Sequence, residues 1–355
     1  MLADRISPRA VVRREFVFDS PPFPSCHAAT LLEAGGALLA AWFGGTKEGH
    51  ADVCVWMARR TRDGWSAPTR VADGIQSDGG RFPCWNPVLF QPRGGPVMLF
   101  YKVGPSPSKW WGMRKISEDA GHTWSPAERL PAGILGPAKN KPVQLTNGEI
   151  ISPASAEMPE AGWHVYTERS SDGGRSFIAS AHIAQGEIPK ATQPSVLIHS
   201  QDQLQMIGRT TSSSLFESWS NDAGATWGLL QLMNLPNCNS GIDAVTLAAA
   251  VNGQRHLLVY NHSNLEKVRY PLNVAVSPDG RSWFAAAELE SAPPGQYSYP
   301  CVIQSQTGNV HVAYTYKRRT ICHVELDPGA FELQPIEAFA CPPPGSPTHR
   351  SDEFQ

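Results

Sequence analysis

The chain has 355 residues, 41% of them hydrophobic and 17% charged, which is ample for a packed core and unlike a disordered chain. Thirty basic against 32 acidic side chains leave a formal charge of −2, so the strongly basic footprint of a nucleic-acid binder is missing. No apolar run reaches the roughly 18 residues of a membrane helix, and no membrane partner is expected.

The first 16 residues carry charges without the apolar stretch of a secretory signal. Seven cysteines lie scattered, with no metal-ligand spacing, and read as free thiols. A cytoplasmic location is the expectation. There is no Gly-rich phosphate fingerprint, and neither a metal nor another cofactor is expected.

Strand-like runs then follow one another. They occupy 14–19, 36–43, 52–60, 96–103, 256–262, 272–277 and 310–318, rich in Val, Leu, Tyr and Trp and bounded by Gly, Pro, Asn or Asp. No segment sustains a capped 3.6-residue apolar period, which predicts little helix. Between the runs a motif recurs. Ser117-Glu118-Asp119-Ala120-Gly121-His122-Thr123-Trp124 returns as Ser220-Asn221-Asp222-Ala223-Gly224-Ala225-Thr226-Trp227, with variants at 170–177 and 277–283 and worn copies at 61–65 and 327–331. The aspartates at 63, 119, 172, 222, 279 and 327 stand 48 to 57 residues apart.

Each copy reads as a hairpin turn. The Asp accepts backbone N–H bonds, Gly supplies a positive φ, and the Trp packs beneath neighbouring strands. About 50 residues per turn is one four-stranded unit, which cannot bury its own faces alone. Six such units around an axis can. The expected fold is all-β, a six-bladed β-propeller of antiparallel blades spanning 1–341 as a single domain. The strand at 14–19 should close the ring by joining the last blade, and residues 342–355 should form a mobile tail.

The repeat is identified as the Asp-box, or bacterial neuraminidase repeat, and the chain resembles the sialidase superfamily. That resemblance implies a central pocket facing away from the Asp-boxes. It also implies an acid/base carboxyl, a Tyr nucleophile assisted by Glu, and arginines on a substrate carboxylate. Lys47-Glu48-Gly49-His50-Ala51-Asp52-Val53 is similar to the family's Asp-x-His-Ala-Glu loop, placing Glu48 as acid/base, with Asp52 as fallback and His50 as a partner. Pro293-Pro294-Gly295-Gln296-Tyr297-Ser298-Tyr299-Pro300 resembles the nucleophile segment, with Tyr297 at the key place. Tyr299 is the alternative, since strand residues two apart share a face. Arg209 and Arg269 match two arginine positions, and paired guanidinium forks suit a carboxylate.

Two positions depart. His27 stands where the family carries its first arginine. Gln193 stands where it carries the Tyr-activating Glu, and an amide cannot act as a base. Lys141, Asn239 and Asp243 sit in apolar strand starts and are taken as substrate-binding, Glu157 as a rim residue, and Trp85, Trp110 and Trp111 as possible sugar platforms. Arg318 and Arg319 read as solvated. The reading is a sialidase-like exo-glycosidase acting on a terminal anionic sugar, be it sialic acid, a related ulosonic acid or a uronate. The alternatives are a uronate lyase using His and Tyr in the same pocket, or a non-catalytic glycan-binding propeller. An acidic carbohydrate is the expected partner in every case.

Overall fold

A computed structural model describes residues 7–158 and 162–348. Six antiparallel sheets follow one another around an axis, with no helix beyond three short 3-10 turns among the described residues. The innermost strands of blades one to six are Ser25–Ala34, Cys84–Phe90, Val143–Gln144, Ala191–Ile198, Asp243–Val251 and Tyr297–Gln304. Val11–Phe16 pairs with Thr320–Leu326 as the outer strand of blade six. The ring is therefore closed by an early strand, three residues earlier than the sequence pattern predicts.

Burial explains why these segments are strands of this composition. Cys84–Phe90 and Val97–Val103 are buried along their whole length, as expected of strands covered on both faces, whereas Trp111–Ser117 further out alternates. Six hydrophobic clusters mix residues of adjacent blades, one at each junction: Leu39 with Leu99, Phe100 with Ile150, Ile151 with Leu204, Ile207 with Leu258, Val274 with Val302, and Ala313 with Trp42. A blade's faces are thus dry only because its neighbours exist.

The recurring motif builds one turn again and again. Ser117 Oγ donates to Asp119 Oδ1 at 2.7 Å and accepts from Gly121 N, while Asp119 also takes the N–H and the hydroxyl of Thr123. The same bonds recur around Asp172, Asp222 and Asp279. These bonds hold the Asp222 carboxyl down at about 2, the hydrogen bonds from Thr226 contributing most. The copy at Asp327 departs from the expectation of a hairpin. It caps a 3-10 turn at Pro328–Ala330, and the chain moves on to Gln334–Pro335 on the edge of blade five, because Val11–Phe16 already fills the place of blade six's outer strand. Beyond it Tyr270 Oη donates to Pro347 O, and 349–355 lie outside the described residues.

Strand direction alternates within each blade. The Asp-box turns and inner hairpins therefore lie on one face. The connections between second and third strands, together with the entries to the inner strands, lie on the other. Glu48, Arg209, Arg269, Arg318 and the approaches to His27, Asn239 and Tyr299 all belong to that second face.

Candidate active site

The inner strands share a device that places the site. Their ladders slip between His27 and Thr30, Trp85 and Val88, Thr192 and Ser195, and Ser298 and Cys301. Within the slips Ala28, Asn86, Gln193 and Tyr299 adopt φ of +58°, +38°, +52° and +54°. A left-handed residue with a Cβ costs on the order of 1–2 kcal/mol, and bulges of this kind re-aim a side chain. Four of them at equivalent places turn polar and aromatic groups toward the axis.

The bulge decides between the two tyrosines. Tyr297 enters the core between blades five and six. Its ring lies 5.2 Å from that of Tyr316 and its hydroxyl donates to Ala292 O at 3.1 Å. Tyr299 is rotated away from it to the axis. The expectation that Tyr297, at the key place of the family segment, is the pocket tyrosine is corrected here, because the strand bulges at Tyr299 and the two tyrosines no longer share a face.

Charges crowd around Tyr299. Arg209 donates from Nη2 to Tyr299 Oη at 2.9 Å, and its Nη1 is held by the Asn239 carbonyl and side-chain oxygen. The guanidinium carbons of Arg209 and Arg269 lie 5.4 and 5.6 Å from the ring centre, and Lys139 Nζ lies 5.8 Å away. The His27 ring packs 4.1 Å from that of Tyr299, centre to centre, and its Nδ1 bonds Thr315 Oγ1 at 2.8 Å. His27 is held neutral, its proton affinity pushed well down by burial and then by Arg318, Arg269, Lys139 and Arg209. His27 Nε2, Arg209 Nε and Gln193 Oε1 are buried without a protein partner.

Arg318 is the residue that sequence reasoning misplaced. It lies in the turn after Val310–Tyr316, where its backbone carbonyl accepts from Cys26 N and so ties blade six to blade one beside His27. Far from being solvated, its side chain is 19% exposed. Gln296 Oε1 accepts from Arg318 Nε at 2.8 Å and from Arg269 Nη1 at 3.2 Å, joining the two guanidinium groups. Nothing in the strand-ending Lys-Arg-Arg pattern signals this, since the turn is aimed by contact with blade one.

At the rim, Glu48 pairs with Arg318 Nη1 at 2.7 Å and remains 40% exposed. Its loop rests on Trp85, whose ring ζ and η carbons lie below Gly49. Trp85 donates to Gly104 O and meets Trp110 edge to face at 6.0 Å, while Trp111 lies under Arg129. Asp52 accepts from Thr46 N, Thr46 Oγ1 and His50 Nδ1. Burial works to raise its carboxyl, but the bonds from Thr46 and His50 outweigh this and hold it low. Asp52 is therefore the clasp of the Glu48 loop and no store of a proton, which corrects its role as fallback acid, and His50 is spent on the same clasp. Glu157, half-buried, is raised by burial against the opposing charges of Arg209 and Lys190.

Below Tyr299 the axis is filled. Lys139 Nζ reaches from blade three to Asn140 Oδ1, the Ile242 carbonyl of blade five and the Pro300 carbonyl of blade six. Burial lowers it to about 8. Lys141 pairs with Asp243 at 2.7 Å, and Asp243 also accepts from Ser195 Oγ, Ala244 N and Val302 N. Lys141 and Asp243 bind each other rather than face the mouth, because an unpaired charge so deep would be costly. Their expected role in substrate binding is corrected to one of joining four blades. Asn239 acts on Arg209, and the Gln193 backbone bonds Asn140 and Ser155.

A six-bladed propeller whose axis holds guanidinium groups around a buried phenol is the class of protein that fold and site define. Residues 36–312 match the BNR repeat-like domain, and the chain belongs to that family. Among solved structures, the intramolecular trans-sialidase from Ruminococcus gnavus superposes with a TM-score of 0.72 at 14% identity, over 92% of this chain and 99% of that one. The NanB sialidase from Streptococcus pneumoniae gives 0.70 at 11%, over 91% and 71%. A protein of unknown function from Dyadobacter fermentans gives 0.70 at 15%, over 89% and 98%. At such identities the likeness is one of fold. No curated protein matches the chain.

Proposed function

We propose that the chain is a sialidase-like exo-glycosidase that removes a terminal sugar bearing a carboxylate. The observation that carries this reading is the hydrogen bond from Arg209 to the Tyr299 oxygen, with Arg269 beside the same ring. Arg209 and Arg269 supply fixed positive charge for a sugar carboxylate and for the phenolate that forms as Tyr299 attacks. A neutral phenol approaches an anionic sugar without the repulsion that a carboxylate nucleophile would meet, and sialidases are the known exception to the two-carboxylate rule for this reason.

Tyr299 bonds to the anomeric carbon as its proton passes to water, the hydrogen bond from Arg209 stabilising the charge that develops on its oxygen, and the bond to the leaving oxygen breaks while Glu48 protonates it. Water then displaces Tyr299, giving a proton to Glu48, and the phenolate recovers its own from water.

The hydrogen bond from Arg209 to the Tyr299 oxygen also favours one second reading, a lyase in which Tyr299 abstracts a proton α to an arginine-neutralised uronate. Fluorogenic sialyl, ulosonyl and uronyl glycosides test the first reading, and ultraviolet absorbance of an unsaturated product tests the second. Hydrolysis of an acidic glycoside should fall at least about a thousandfold in Tyr299→Phe and change less than about fivefold in Tyr297→Phe. Full activity in the Tyr299 variant, or loss confined to the Tyr297 variant, would reject the assignment.

A further inference from the structure

The Glu48–Arg318 pair joins the loop of blade one to the turn of the adjacent blade six. Among the described residues, Glu48 is the only carboxylate in contact with Arg209, Arg269 or Arg318. The other two guanidinium groups rest on neutral acceptors: the Tyr299 phenol, the Asn239 oxygens and the Gln296 amide. An anionic group at the site thus meets no competing carboxylate on the buried Arg209 or on Arg269, and one on Arg318.

The occupied one is built to be released. Arg318 is fixed at its backbone by Cys26 N and at Nε by Gln296, which leaves Nη1 as the end that Glu48 takes. Glu48 is the exposed partner, on a loop clasped at its base by Asp52 and resting on Trp85. Half-exposed ion pairs contribute little, because water competes for both charges. A sugar carboxylate held at the same time by Arg269 meets the linked guanidinium pair as a fork, and such two-pronged contacts are the stronger kind.

Resting on the glycosidase reading above, we propose that Arg318 is a specificity-determining residue that reads the acidic group of the substrate. In the empty site the Glu48 carboxylate masks it, and the substrate's own carboxylate displaces Glu48 toward the glycosidic oxygen, Glu48 taking up a proton from water as it loses the guanidinium. Acid and substrate charge are then coupled. A neutral sugar leaves Glu48 on Arg318, whereas an acidic one moves it to where the leaving oxygen lies.

The test is calorimetric binding at low salt of free sialic acid, a 3-deoxy-ulosonic acid and glucuronic acid, each beside its carboxamide. The wild type, Glu48→Gln, Arg318→Gln and the double variant are compared after thermal melts confirm that each is folded. Glu48→Gln should tighten binding of the acid about two- to fivefold, the worth of a half-exposed ion pair. Arg318→Gln should weaken it about tenfold or more, and adding Glu48→Gln to that variant should bring no gain. The carboxamides should show none of these changes. Binding of an acid that Glu48→Gln leaves unchanged or weakens, or a gain that persists without Arg318, overturns the masking while leaving the glycosidase reading intact. Failure of every acid to bind the wild type overturns both.

Discussion

Removing Glu15 should loosen the closure of the ring, and more at neutral than at acidic pH. Glu15 lies on Val11–Phe16, the strand that completes blade six, and its Oε1 accepts from Arg60 Nε at 2.5 Å, Trp65 Nε1 at 3.0 Å and His323 Nδ1 at 3.1 Å. One carboxylate oxygen therefore ties the closing strand to blades one and six. Burial alone would raise this carboxyl, yet the bonds from His323 and Arg60 lower it from its ordinary 4.5 to about 2. At about 1.4 kcal/mol per pH unit, the difference corresponds to roughly 3 kcal/mol, which contact with solvent reduces to about 2 kcal/mol. Because the folded value is the lower one, this stability is fully present above pH 4.5 and is lost as pH falls toward 2. Glu15→Gln should thus lower the urea midpoint at pH 7 by an amount worth about 2 kcal/mol, and the gap from wild type should shrink to less than about half by pH 3, where a carboxyl held near 2 is still mostly ionised in the folded state. Hydrogen exchange in Val11–Phe16 should rise first. A gap that stays the same at pH 7 and pH 3, or no gap at pH 7, would refute the assignment of closure to this carboxylate.

Two further outcomes bear on what supports the mouth. Asp243→Ala leaves Lys141 without its partner at the axis and strips acceptors from Ser195 and Val302, so it should cost about 3–5 kcal/mol in chemical unfolding. Ser117→Ala removes the hydroxyl that both donates to Asp119 and accepts from Gly121, and should cost about 1–2 kcal/mol. Since that turn lies on the face opposite the mouth, KM for an acidic glycoside should be unchanged in Ser117→Ala, which steady-state kinetics on the folded variant will check.

The architecture was legible because its cause is local. An Asp-box satisfies itself within eight residues, as the bonds around Asp119 and Asp222 show, so six spaced copies announce six blades without any knowledge of packing. Only the worn copy at Asp327 misled, since its missing fourth strand is supplied from residues 11–16, more than 300 positions away.

The site was legible only where regular strands carry it. Arg209 ends Leu204–Thr210, and its position follows from counting along the strand. Tyr299 could not be preferred to Tyr297 in this way, because the choice is made by a bulge whose register depends on pairing with Val310–Tyr316. Arg318 and the Lys141–Asp243 pair were misread for the same reason: each is placed by contacts with other blades, across 292 residues for Arg318 with Cys26 and 102 for the ion pair. Turn chemistry and apolar alternation are written along the chain and can be read there. Which charges meet around a phenol is decided by closure of the ring, when groups from distant blades share one axis and each must find a partner or face the mouth.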